Sequence, residues 1–242
     1  MKLELENIKT FKNILTIVEY FLEEVKFEVY QDGLRFRGLD KSHIAFIGLY
    51  VDKDYFDTFE IDEPQSCIVD TNELVKIVKR AKSDDTLILS FDESNLKLQF
   101  TNGGTKRNFR IRQVDMEYTS PPMPNIEYPI SFNMNYKLLI DSVKDAELYS
   151  EKVRLRTNEY NLFVETDGNV GDYRSELSSL ENIGKYKSIF SISWLNKIFK
   201  ISGISDEISI SMGNDMPLFL EFDDEDGLKV DFLLAPRIEE YE

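Results

Sequence analysis

The chain has one cysteine, Cys67, and one histidine, His43. A lone thiol excludes an internal disulfide and a cysteine-built zinc site, and it fits a reducing, intracellular compartment. Long hydrophobic runs are missing. The longest, Ile44 to Val51, is far too short to span a bilayer. From Lys2 onward the N-terminus alternates charged and apolar residues, unlike a secretory signal. Glycine is scarce, and Gly103-Gly104 has neither the lysine-serine pair nor the following helix of a phosphate loop. His43 stands at a strand entrance with no cysteine or serine motif around it, which suits a structural or groove-lining imidazole better than a general base. Asp223-Asp224-Glu225-Asp226-Gly227 lacks the alternating ligand spacing and closing glutamate of a calcium loop, so it reads as an acidic hairpin turn. No catalytic, metal or cofactor site is implied.

Positive charge is also in short supply: 29 lysines and arginines face 45 acidic residues, for a net charge of −16. Taken as a sum, this argues against nucleic acid, whose phosphates want a basic surface. A partner feels the local field, however, so the placement of the basic minority decides. With 242 residues, 42% apolar and 31% charged, the chain reads as globular and long enough for two domains.

A shift of 121 residues lays Leu74-Val75-Lys76-Ile77-Val78-Lys79 on Leu195-Asn196-Lys197-Ile198-Phe199-Lys200, and Asp85, Leu87, Leu89 and Ser90 on Asp206, Ile208, Ile210 and Ser211. An earlier match at 125 brings Phe11-Lys12, Ile14-Leu15 and Val18 onto Tyr136-Lys137, Leu139-Ile140 and Val143. One such pair is ordinary for amphipathic helices; two in the same order, each followed by strands, indicate duplication. Helical spacing predicts helices over Ile8–Leu22, Glu73–Lys82, Tyr136–Glu147 and Ser193–Ser202, the second capped by Asp70-Thr71-Asn72. Alternation predicts strands over Lys26–Tyr30, Leu34–Leu39, Ile44–Val51, Thr86–Phe91, Asn95–Thr101 and Lys106–Val114. In the second half it predicts them near Lys152–Arg156, Leu162–Glu165, Tyr173–Ser179, Ile208–Met212, Leu218–Phe222 and Lys229–Leu234. Asp32-Gly33 marks a tight hairpin turn. Pro121, Pro122 and Pro124 interrupt any helix or central strand. The expected organisation is α+β: similar domains at 1–114 and 129–242, joined by a stiff linker at 115–128.

The four predicted helices together hold ten basic and five acidic residues, a basic minority on an acidic body. Lys76, Lys79 and Arg80 are three and four apart, as are the ends of the pair Lys197 and Lys200, so each set shares a helix face. Leu74, Ile77, Val78 and Ala81 take the opposite face. A single such stripe is usually a solvated face. Its recurrence in both repeats points instead to sequence-independent phosphate contact.

Four stretches carry a resemblance: Phe36-Arg37-Gly38-Leu39-Asp40-Lys41-Ser42-His43-Ile44, Pro124-Asn125-Ile126-Glu127-Tyr128, Met212-Gly213-Asn214-Asp215-Met216-Pro217-Leu218 and Leu234-Ala235-Pro236-Arg237-Ile238-Glu239-Glu240. With them the chain resembles DNA sliding clamps of the proliferating-cell-nuclear-antigen type, especially archaeal ones, over essentially its whole length. The resemblance implies two clamp domains with helices packed on antiparallel sheets, closing head to tail into a pseudo-sixfold trimeric ring. It implies a processivity factor in DNA replication and repair that encircles double-stranded DNA, with Lys12, Lys76, Lys79, Arg80, Lys137, Lys144, Lys197 and Lys200 lining the hole. Edge strands at Thr105–Arg112 and Asp172–Ser179 would join the protomers. DNA polymerase, flap endonuclease, DNA ligase and the clamp loader would dock short peptides in a groove made by Leu39, His43, Ile44, Phe46, Met123, Pro124, Pro217, Leu233, Ala235 and Pro236. No membrane partner is implied. The location would be cytoplasmic and nucleoid-associated in an archaeon, nuclear in a eukaryote.

The chain departs from the family at four places. Pro121-Pro122 replaces a common Leu-Gly, Leu233 a common aromatic, and Glu19 a frequent basic residue; Ile140 and Val143 occupy positions that are basic in some relatives. The competing reading is a subunit of a heteromeric or checkpoint-type clamp. A metal-dependent nuclease ranks third, on abundant carboxylates alone.

Overall fold

The computed structural model describes residues 1–178, 184–201 and 203–238. They form two compact units, one from residues 1–123 with short stretches at 201–204 and 223–230, the other from the remainder. The first unit runs β1 (Lys2–Leu5), α1 (Lys9–Ile17), β2 (Glu24–Tyr30), β3 (Gly33–Leu39), β4 (Ala45–Asp52), β5 (Thr58–Glu60), β6 (Gln65–Asp70), α2 (Thr71–Val78), β7 (Thr86–Phe91), β8 (Asn95–Asn102) and β9 (Thr105–Arg112). The second follows as β10 (Ile130–Asn135), α3 (Tyr136–Glu147), β11 (Lys152–Thr157), β12 (Asn161–Gly168), β13 (Gly171–Ser178), β14 (Lys187–Ser191), α4 (Ile192–Ile198), β15 (Glu207–Met212), β16 (Leu218–Asp223) and β17 (Leu228–Leu234).

Apart from β5, this order is one motif repeated: strand, helix, then three antiparallel strands, opening at β1, β6, β10 and β14. Within each unit the two motifs exchange their first strands. β1 pairs with β7 while β6 pairs with β2; in the second unit β10 pairs with β15 and β14 with β11. The duplication read from the sequence is therefore itself made of two smaller copies. The opening strands escaped the sequence reading because β6, β10 and β14 run directly into a helix and β1 is only four residues long. Lys2–Leu5, for example, offers only two apolar residues, Leu3 and Leu5, for an alternation signal.

The sheets of the first unit run β5-β1-β7-β8-β9 and β4-β3-β2-β6; the second unit has β13-β12-β11-β14. Strand burial alternates as the pleat requires, with Val25, Phe27 and Val29 of β2 fully buried between polar neighbours. Helices pack in pairs, α1 beside α2 and α3 beside α4. Phe11, Ile14, Leu15 and Ile17 seat α1, while Leu74, Val75 and Val78 seat α2. Val75 takes the core place expected of Ile77, which is only half-buried.

The third helix has the predicted bounds, Tyr136–Glu147, and the other three are shorter than predicted. α1 tightens into a three-residue turn at Val18–Tyr20, and α2 stops at Val78. Arg80 and Ala81 then donate to the carbonyls three residues back, at Ile77 and Val78. Neither end has a glycine stop, so the last turn tightens to satisfy its own carbonyls. Asp70 caps α2 as predicted, its carboxylate accepting from Glu73 N at 2.9 Å. For α4, predicted to Ser202, the regular helix ends at Ile198, and Ser202 lies outside the described residues.

Candidate nucleic-acid interface and peptide groove

On the first unit Lys76, Lys79 and Arg80 are exposed, yet two of the three are already engaged. Lys76 Nζ lies 2.6 Å from Glu73, which raises the pKa of its ammonium, and Lys79 Nζ lies 2.9 Å from Glu19. Lys12 is half-buried, and its Nζ donates to the Ala81 carbonyl at 2.5 Å. Sequence reasoning missed a further cation here. Arg107 of β9 donates to the Arg80 carbonyl at 2.9 Å and ion-pairs with buried Asp85. An inward arginine on an edge strand has no local signal, because its partner lies 22 residues away.

On the second unit Asn135 caps α3, its side chain accepting from Lys137 N at 3.0 Å. Lys137 and Lys144 project from the exposed face of α3, which also presents Asp141, Asp145 and Glu147. Ile140 and Val143 lie in the core with Leu139 and Ala146, so they are not vacant surface-cation positions. Lys197 lies over the Trp194 ring, 3.6 Å from its centre, and Lys200 is exposed.

The groove positions of the first unit are set by one carboxylate. Buried Asp40 accepts from Ser42 N at 2.8 Å and from Ile44 N and Ala45 N at 2.6 Å each. The closed turn leaves His43 in a left-handed conformation at φ 56°. It also leaves Leu39 and Ile44 solvent-exposed, at 40% and 37%, large apolar side chains on the surface. This is the physical content of the Asp-Lys-Ser-His run. Phe46, expected in the groove, is only 2% exposed and belongs to the core.

Residues leading into Met123 are tied across the outer face of β2 and β3. Tyr118 Oη donates to the Arg37 carbonyl at 3.2 Å, and Ser120 Oγ to Glu28 at 2.8 Å. Met123 is half-buried. On the second unit Pro124 is exposed, Pro217, Ala235 and Pro236 are half-buried, and Leu233 is buried. Arg237 N donates to the Ile189 carbonyl at 2.7 Å, and its guanidinium reaches Glu151 at 3.1 Å. Glu239 and Glu240 lie outside the described residues. The sequence reading passed over Tyr128, whose ring stacks on Phe219. Burial pushes its phenol up to about 12, and among the described residues its hydroxyl has no partner.

Both expected edge strands lie at sheet margins: β9 over Thr105–Arg112, and β13 over Gly171–Ser178, with Ser179 outside the described residues. The carboxylates of the acidic 223–227 turn cap their own backbone, Asp224 accepting from Asp226 N and Leu228 N. Among the described residues no cluster could hold a metal, and no helix is long and apolar enough to cross a membrane.

Two family descriptions match in tandem: "Proliferating cell nuclear antigen, N-terminal domain" over residues 1–120, and "Proliferating cell nuclear antigen, C-terminal domain" over residues 122–237. A DNA polymerase sliding clamp of Methanothermobacter thermautotrophicus is 37% identical over 98% of both chains. Among solved structures, PCNA from Thermococcus kodakaraensis superposes with a TM-score of 0.91 at 24% identity, over 98% of this chain and 99% of that one. PCNA of A. fulgidus, bound to the C-terminal region of FEN-1, gives 0.88 at 24% identity over 99% of each chain.

Proposed function

The chain belongs to the proliferating cell nuclear antigen family, and from that premise we propose that it works as a DNA sliding clamp, a ring that encircles duplex DNA and carries replication enzymes. The observation that carries this reading is the tandem family match across residues 1–120 and 122–237, on an acidic chain that exposes Lys76, Lys79, Arg80 and Lys200 at the ends of α2 and α4. Domains at 1–114 and 129–242, joined by the 115–128 linker, form each arc, and three copies close the ring through β9 and β13. Lys76, Lys79, Arg80, Lys137, Lys144, Lys197 and Lys200 touch phosphates without reading bases, and Lys12 stands behind them. Affinity for DNA is low because the acidic body repels the same phosphates; retention is topological.

The same reading assigns partner peptides to Leu39, His43, Ile44, Met123, Pro124, Pro217, Ala235 and Pro236, with Tyr128 added; Phe46 and Leu233 of the expected set are buried. The relative bound to part of FEN-1 supports a docking role. Polymerase, flap endonuclease, ligase and clamp loader are the proposed partners, each through a short apolar plug. In this role the chain performs no reaction of its own.

The deciding experiment loads the protein onto primed circular DNA and measures polymerase stimulation and retention. Stimulation by this chain alone, and escape once the circle is linearised, are expected. Equal retention on circular and linear DNA would sink the proposal. Stimulation only with a second clamp-like subunit present would instead select the heteromeric ring.

A further inference from the structure

The C-terminal turn of α2 carries Lys79 and Arg80, and it is held from two sides. Helix carbonyls at this end have no partners further along the helix and carry partial negative charge. Lys12 of α1 donates to the carbonyl of Ala81, and Arg107 of β9 to that of Arg80. The second arm of Arg107 ion-pairs with Asp85, which is fully buried and also accepts from Lys82 N at 2.6 Å. Among the described residues, the other Asp85 oxygen has no partner, so this buried carboxylate depends on Arg107 and Lys82 N. The matching position in the second repeat, Asp206, is exposed.

We infer that Lys12, Arg107 and Asp85 are positioning residues. Lys12 and Arg107 neutralise the carbonyls at the end of α2, and Asp85 holds Arg107 in place. Together they present Lys79 and Arg80 to phosphate, while Arg107 ties that turn to the edge strand β9. Lys12 then leaves the set of direct phosphate ligands, because its side chain is half-buried and its ammonium is turned to Ala81, whereas Lys76 and Lys79 are exposed. The α2 end and the margin of the sheet move as one piece. The link to DNA rests on the sliding-clamp reading; the link between β9 and the turn does not.

Hydrogen exchange on the intact protein tests the second link. The amides of Lys79, Arg80, Ala81, Lys82 and Asp85 are all hydrogen-bonded, so their protection is measurable. Arg107→Met should speed their exchange by about tenfold or more, leaving α3 unaffected. Asp85→Ala, which removes the acceptor off the sheet edge, should do the same at 79–81 with the oligomer unchanged, and it decides the matter if Arg107→Met disturbs assembly. Unchanged exchange at 79–81 in Asp85→Ala overturns the inference.

The role of Lys12 is read from the salt dependence of equilibrium affinity for linear duplex DNA, where topology does not hold the protein. Removing one phosphate ligand lowers the log–log slope by about 0.9. Lys76→Met should show that loss, and Lys12→Met should keep the parental slope while speeding exchange at 79–82. A slope loss in Lys12→Met equal to that in Lys76→Met would make Lys12 a direct ligand. If the parent protein is not retained on circles at all, the clamp reading fails, while the exchange result still stands or falls by itself.

Discussion

Lys79 Nζ sits 2.9 Å from the Glu19 carboxylate, joining the end of α2 to the turn that follows α1. Glu19 is only 20% exposed in its side chain while that of Lys79 is 53% exposed, so Glu19 competes with phosphate for a cation on the proposed DNA face. Exposed pairs of this kind contribute about 0.5 kcal/mol to stability. Glu19→Gln should therefore cost little in folding while freeing Lys79 for phosphate. Equilibrium affinity for linear duplex DNA should rise about threefold at low salt, with a slope steeper by up to about 0.9. Unchanged affinity and slope would mean that Lys79 does not face DNA.

Asp40 and the His43 turn give a second expectation. Three backbone amides converge on one buried carboxylate, and hydrogen bonds to a charged acceptor contribute about 1.5–3 kcal/mol each before compensation. Asp40→Ala should lower stability by about 2–4 kcal/mol and abolish docking of a clamp-binding peptide, because Leu39 and Ile44 lose their fixed placement. His43→Gly relieves the left-handed backbone and should leave stability unchanged or raise it by up to about 1 kcal/mol. Denaturant unfolding and peptide titration separate the two effects. Tight docking by Asp40→Ala would place the peptide elsewhere.

Much of this arrangement was legible in the sequence, and the failures have physical causes. Strands with strict alternation, such as Thr86–Phe91, were placed to the residue because one face is core and the other is not. Helix ends were overrun because propensity continues through Lys79–Lys82 while the hydrogen bonds tighten. Basic residues could be listed, but not how they are employed. Lys76 and Lys79 pair with Glu73 and Glu19, and Lys12 is spent on a carbonyl, none of which spacing reveals. Arg107 was invisible for the converse reason, since its role comes from a partner on another element. The groove run Asp40–Ile44 was legible as a pattern, but its cause appeared only as three amides around one carboxylate.

Alkaline pH should destabilise the fold. Burial pushes the Cys67 thiol, helped by Asp92, and the phenols of Tyr55 and Tyr128 up to about 12. A group whose folded value is raised contributes stability below its unfolded value and loses it as pH climbs through the folded one. The melting temperature should accordingly fall between about pH 9 and pH 12. Tyr128→Phe removes a buried hydroxyl that has no partner among the described residues, so it should flatten this decline without lowering stability at pH 7. A melting temperature constant to pH 12 would contradict the assignment. So would a Tyr128→Phe protein markedly weaker at neutral pH.

Two of the sheet margins, β9 and β13, carry unlike charge, and this yields a test of ring closure. β9 presents Lys106, Arg110 and Arg112 on its exposed face, with no acidic residue in Thr105–Arg112. β13 exposes Asp172 and Glu176, while its one cation, Arg174, is drawn to Glu165 at 3.5 Å and lies over Phe163. Like edges repel and unlike edges attract, which favours head-to-tail association over a symmetric dimer. Lys106→Glu with Arg110→Glu makes both edges acidic, and each junction should weaken by about ten- to a hundredfold, releasing monomers. Asp172→Lys with Glu176→Lys makes both edges basic and should do likewise. Combining all four substitutions in one chain restores unlike edges, so the trimer should return. Mixing the two double variants should behave differently, because strict alternation cannot close a ring of three and only even-numbered species form. Mass measurement in solution distinguishes these outcomes. A trimer from either double variant alone, or none from the fourfold variant, would show that edge charge does not direct assembly.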